Sequence, residues 1–103
     1  MTQYRHGDIL IVKRDIPKVI KEDLKPLDTN VVAEGELTGH AHKVDDAAVL
    51  FGFDVAMPEW IVVDTEGTDL THEEHETIHI PEGEYQIIRQ REFDGTESRF
   101  VAD

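Results

Sequence analysis

The chain has 103 residues, one domain's worth, enough to bury a core of modest depth. Its 23 acidic residues against 10 basic ones give a formal net charge of -13, which argues against a nucleic-acid surface and against docking on anionic membranes, so neither partner is expected. It has no cysteine, which excludes disulfides and thiolate metal sites; a metal here must be held by histidine nitrogen and carboxylate oxygen.

No stretch approaches the roughly 18 to 20 apolar residues of a membrane span. The opening Met-Thr-Gln-Tyr-Arg-His-Gly-Asp lacks the apolar run of a secretion signal, so a cytoplasmic location is expected.

In chain order, Gly7 to Lys13 (GDILIVK) is a β-branched run, apolar on both faces, and predicts a strand covered on both sides. Arg14 to Thr29 carries Pro17 and Pro26, which leave room for one short helical turn around Val19, Ile20 and Leu24 within an irregular excursion. Val31 to Glu34 predicts a second strand, and Gly35 and Gly39 flank a turn. His40 to Val44 and Ala47 to Phe53 read as a hairpin bent at Asp45-Asp46.

Pro58 introduces a strand over Trp60 to Val63, with Trp60 a core or interface residue. Thr65 to Asp69 is a turn cluster, and Thr71-His72-Glu73-Glu74 has the form of a capping box that opens one helical turn. Thr77 to Ile80 and Glu84 to Phe93 read as a hairpin through Pro81-Glu82-Gly83. Asp94-Gly95-Thr96 is a further turn, and Arg99 to Val101 a last short strand. The sum is one all-β domain over 1–103, a small barrel or sandwich of about seven or eight short strands. A β domain this small tends to complete itself by self-association, so a homo-oligomer is expected.

Four of the six histidines fall into two pairs. His40 and His42 are two apart, which on a strand places both rings on one face, roughly 6 to 7 Å apart. His72 and His75 are three apart, a spacing that meets on one face of a helical turn. Glu73, Glu74 and Glu76 surround the second pair and offer oxygen ligands or orienting partners. Neutral imidazole is a common ligand for zinc, copper, iron and nickel, so His40, His42, His72 and His75 are the candidate ligands of a divalent metal: zinc, iron, manganese or nickel. If the site is catalytic, Glu74 is the candidate base toward a metal-activated water. A pH switch and a hydrogen-bonded structural cluster are the competing readings of the same residues. His79, alternating with Ile78 and Ile80, reads as a satisfied strand histidine, and His6 carries little signal.

Gly35, then His40 and His42, then Asp45 or Asp46, then Gly52, with Pro81-Glu82-Gly83 downstream, resemble the two motifs of the cupins. That resemblance covers about half the chain and implies a β-barrel whose ligands include His40 and His42. It departs at Gln86, where a cupin ligand histidine would stand, and at Gln90, where an asparagine is frequent; the His72/His75 pair would then supply the missing ligand. The segments Thr38 to His42 and Leu70 to His75 are also similar to small uncharacterised prokaryotic and phage proteins. Both readings leave two functions open: a metal-binding protein, or a non-enzymatic assembly or interaction module.

Overall fold

The computed structural model of this chain describes residues 2–34 and 40–89. Among them are β1 (Gln3–His6), β2 (Ile9–Lys13), α1 (Lys18–Lys21), β3 (Lys25–Pro26), β4 (Val31–Glu34), β5 (Ala41–Lys43), β6 (Ala48–Gly52), β7 (Trp60–Val63), β8 (Thr68–Leu70), β9 (Ile78–Ile80) and β10 (Gly83–Arg89). The fold is all-β. No helix of the described residues is long and apolar enough to cross a membrane.

Six strands form one antiparallel sheet in the order β1-β2-β10-β7-β6-β3. β2 opens with Ile9, Leu10, Ile11 and Val12, and such β-branched runs favour a strand buried on both faces. It therefore lies inside the sheet, between β1 and β10. Two residues, Gly7 and Asp8, close the β1–β2 hairpin, with His6 opposite Ile9. Gly7 has φ 65°, and a glycine in that conformation at the first loop position gives a turn whose twist matches paired strands.

One face of the sheet presents Ile9, Ile11, Leu50, Ile61, Val63, Tyr85 and Ile87 to a single buried cluster. The hairpins β4–β5 and β8–β9 form a second layer, contributing Val32, Ala33, Val44, Leu70 and Ile80. Each large aliphatic side chain sealed there contributes about 1.5–3 kcal/mol relative to exposure. Burial also pushes the Tyr85 hydroxyl up in pKa, as does the nearby Tyr4, and that hydroxyl donates to the Pro81 carbonyl at 2.7 Å. The opposite face is covered by the excursion around α1, where Ile16 and Leu24 pack on Trp60 with Ile20, Phe51 and Val62 alongside. Glu84 fastens that excursion by accepting from the Ile16 N–H at 2.8 Å, and Arg14 donates to Gln86. The arrangement is sandwich-like, and among the described residues the sheets do not close into a barrel.

Two expected hairpins are not formed. β5 pairs with β4 rather than with β6, and β9 pairs with β8 rather than with β10. In both cases the turn residues carry the chain from one layer to the other. Asp45 shows how: its Oδ1 accepts from the Thr68 hydroxyl at 2.6 Å and the Ala47 N–H at 2.9 Å, tying the bend to β8 rather than folding β5 back on β6. The helical turn expected at Thr71 is also absent. Thr71 and Lys43 exchange two backbone hydrogen bonds of 2.9 Å, which hold Thr71 extended, and bends follow at 73–75. β1 and β8 were not expected as strands, whereas β4 and β7 have the expected bounds and the helical turn lies where the prolines leave room. The Gly35 and Gly39 turn, Gln90 and the end of the expected strand up to Phe93, the Asp94-Gly95-Thr96 turn and the Arg99 to Val101 strand lie outside the described residues.

Candidate metal centre

The imidazoles come from three separate pieces of chain. His6 ends β1, His40 precedes β5, His42 lies within β5, and His72 and His75 belong to the segment between the Thr71 bridge and β9. His42 pairs with Ala33 beside an irregularity in β4 and is fully buried. Ring centroids are 4.4 Å apart for His42 and His72, 4.4 Å for His72 and His75, and 5.6 Å for His40 and His72. The four expected histidines therefore converge, although His72 and His75 do so from a bend rather than from a helix. His40 lies just before β5, so the pair is not held within one strand, yet both rings reach His72.

His6 is a fifth member, 5.0 Å from His42 and 5.5 Å from His75 between centroids. Its Nε2 lies 2.9 Å from the Glu76 carbonyl, which only accepts, so Nε2 carries the hydrogen. His42 Nε2 lies 3.2 Å from Asp8 Oδ1, and with Asp8 ionised that nitrogen is the donor as well. The two Nδ1 atoms then face each other at 2.9 Å and must share one hydrogen. A proton fits on the line between these two atoms, whereas an ion at about 2.0–2.1 Å from each would sit off that line with an angle of roughly 90° between its bonds. Without an ion, the His6–His42–Asp8 chain is a hydrogen-bonded base packed against the His72 and His75 rings.

Toward solvent, His40, His72 and Glu73 each present a ligand atom, and these atoms lie within 4.8 Å of one another. This group can hold a metal ion. Glu73 Oε1 accepts from the Ala41 N–H at 3.0 Å; that bond, and one from Glu73's own backbone, hold its carboxyl below the usual glutamate range. Glu74 sits on the rim, its Oε2 3.4 Å from His40 Nδ1, and its own N–H donates to His72 Nδ1 at 2.9 Å. His79 pairs with Asp69 at 2.9 Å on the exposed side of β8–β9, as a strand histidine satisfied by its neighbour. Arg89 donates to the carbonyls of Val32 and Pro58.

Sequence reading missed His6 and Asp8. The signal was present in Arg5-His6-Gly7-Asp8-Ile9, since Gly-Asp between apolar-patterned runs marks a two-residue hairpin. Reading it so would have placed His6 at a strand end beside the sheet interior.

Residues 5–90 match the model of a family described as a domain of unknown function, DUF8820. The chain belongs to this family. No cupin family matches, nor does any curated protein or solved structure. Two features of the fold also depart from the cupin reading. The Pro81-Glu82-Gly83 turn does not join a hairpin, and Gln86 bonds Arg14 on the sheet face away from the histidines.

Proposed function

We propose that this DUF8820 domain binds one divalent transition-metal ion at its histidine cluster. The observation that carries the reading is the group His40, His72 and Glu73, with ligand atoms mutually within 4.8 Å. Two nitrogens and one carboxylate oxygen form a donor set suited to zinc, iron(II), manganese or nickel. Ligand atoms around a tetrahedral ion lie about 3.3 Å apart, so the group closes by up to about 1.5 Å on loading. Glu73 is exposed and His40 partly so, which leaves them room to move. His75, packed 4.4 Å from His72, is the candidate fourth ligand, and His42 supports His72 from below. With His75 outside the coordination shell, the fourth position would be open to water and Glu74 would serve as base toward it.

The test is metal content of tag-free protein by plasma mass spectrometry, followed by titration of chelator-stripped protein with zinc, iron(II), manganese and nickel. Stoichiometric binding that a His72→Ala substitution abolishes supports the reading. Absence of metal as isolated, together with no saturable binding of any of the four ions, removes it.

A second reading, self-association through an apolar surface, is favoured by Phe53, which is 61 % exposed. Sedimentation across a hundredfold concentration range tests it: a concentration-dependent dimer weakened by Phe53→Ser supports it, and a strict monomer ends it.

A further inference from the structure

Two further donors lie deeper in the cluster. His6 and His42 are 3 % and 0 % exposed, and their Nδ1 atoms approach to 2.9 Å. Adjacent ligands of one ion, each about 2.0–2.1 Å from it, have this spacing. The other nitrogen of each ring is already engaged: His6 Nε2 donates to the Glu76 carbonyl at 2.9 Å, and His42 Nε2 to Asp8 Oδ1 at 3.2 Å. A ligating histidine characteristically donates its second N–H to a backbone carbonyl or a carboxylate, which fixes the tautomer and turns the other nitrogen toward the metal. Both rings have that arrangement.

Two lone pairs that face each other take either a shared proton or an ion, and a third ring at the same point favours the ion. His75 is that ring. An ion about 2.0–2.1 Å from a ring nitrogen lies about 3.2 Å from the ring centroid. The centroids of His6, His42 and His75 are 5.0, 5.5 and 5.9 Å apart. Three centroids with these separations lie on a circle of radius about 3.2 Å, so one point stands at the ligating distance from all three rings. His75 is partly exposed, which gives that point a way in from solvent.

We propose that His6, His42 and His75 hold a divalent transition-metal ion of their own, inside the group formed by His40, His72 and Glu73. The inner site stands on its own donors; a two-ion centre, with the second ion outside, rests also on the reading proposed above. His72, 4.4 Å from both His42 and His75, separates the two donor sets. With His75 engaged inside, the outer ion keeps its fourth position for water.

The experiment titrates tag-free, chelator-stripped protein with zinc and with cobalt(II), counts bound ions per chain by plasma mass spectrometry, and records imidazole ¹⁵N spectra of the zinc-loaded wild type. Two ions are expected in the wild type, one in His6→Phe and one in the double variant His40→Ala/Glu73→Ala. The Nδ1 resonances of His6 and His42 are expected to move on zinc binding while both Nε2 atoms keep their hydrogens. Nδ1 resonances that stay unmoved at saturation overturn the proposal, and this readout needs no variant to fold. Two ions retained by His6→Phe overturn it as well. A single ion lost in the double variant and kept in His6→Phe removes the inner site and leaves the outer one standing; a single ion with the opposite dependence supports the inner site and removes the outer.

Discussion

Replacing His42 by leucine tests the buried base of the cluster. His42 is fully buried and Asp8 is 5 % exposed, so their 3.2 Å contact is sealed from solvent. Leucine keeps most of the volume, so the cost comes mainly from polarity rather than from a cavity. Removing one partner of a buried charged pair costs about 3–5 kcal/mol, because the other is left desolvated. The His6 Nδ1 contact is lost as well, which acts in the same direction. A domain of this length has a total stability of about 5–15 kcal/mol, so the variant becomes marginal. Replacing both Asp8 and His42 by leucine removes both polar groups together, and the double variant should be at least about 2 kcal/mol more stable than the sum of the single effects predicts. Urea unfolding followed by fluorescence of Trp60, the single tryptophan and 4 % exposed, reads this directly. Chelator is present throughout, so that no bound ion adds to stability. A His42→Leu cost below about 1 kcal/mol, or additivity within about 0.5 kcal/mol, would refute the reasoning.

Three further outcomes are expected. Whichever nitrogen of His72 takes an ion, its Nδ1 stops accepting from the Glu74 N–H, since Nδ1 either ligates or gains a hydrogen; zinc should therefore shift the Glu74 amide resonance, and an unmoved amide at saturation excludes His72 as a ligand. Gly67→Ala places a methyl group against the His79 ring and 3.0 Å from the Ile80 carbonyl at φ +77°, and should cost about 1–3 kcal/mol in thermal unfolding; a neutral result contradicts the positive-φ turn. Asp45 is held below its ordinary pKa of 3.8, first by the Thr68 hydroxyl and then by the Ala47 N–H. A depressed folded-state pKa contributes stability that is present above the unfolded pKa and lost as pH falls through the lower folded value. Wild type should therefore lose more stability than Asp45→Asn between pH 5 and 2, and parallel stability curves over that range rule out this role for Asp45.

The strands most legible in the sequence were those whose own composition decides them. Trp60 to Val63 and Val31 to Glu34 are short apolar runs that fit a half-buried pleat wherever the chain places them. Pairing was not legible, because it depends on which layer each strand joins. Asp45-Asp46 and Pro81-Glu82-Gly83 have hairpin chemistry, yet both connect layers, and the decisive contact for the first is with Thr68, 23 residues away. The capping-box pattern at Thr71 failed for a similar reason: a bridge to Lys43 satisfies the backbone groups that a helix would have used. The histidine pairs were legible as a cluster because donor chemistry survives a wrong secondary-structure assignment. A strand with the residue before it, and one bend at 73–75, brought the rings together as effectively as the expected helix would have done.

The gradient of burial across the cluster bears on the choice between a metal site and a structural one. Exposure rises from 0 % at His42 through 8 % at His72 to 29 % at the His40 side chain, with Glu73 and Glu74 at the surface. A structural role needs no such opening, and apolar residues of the same volume would fill the sealed end at no greater cost in stability. The sealed end instead holds polar groups whose hydrogen bonds fix ring orientation, while the donors suited to an ion lie where an ion can enter. Preorganised rings beneath and accessible ligands above are what a binding site requires. The proposed metal site would account for a buried His-His-Asp chain that is costly to keep, since His42 packs 4.4 Å from His72, one of the three proposed ligands.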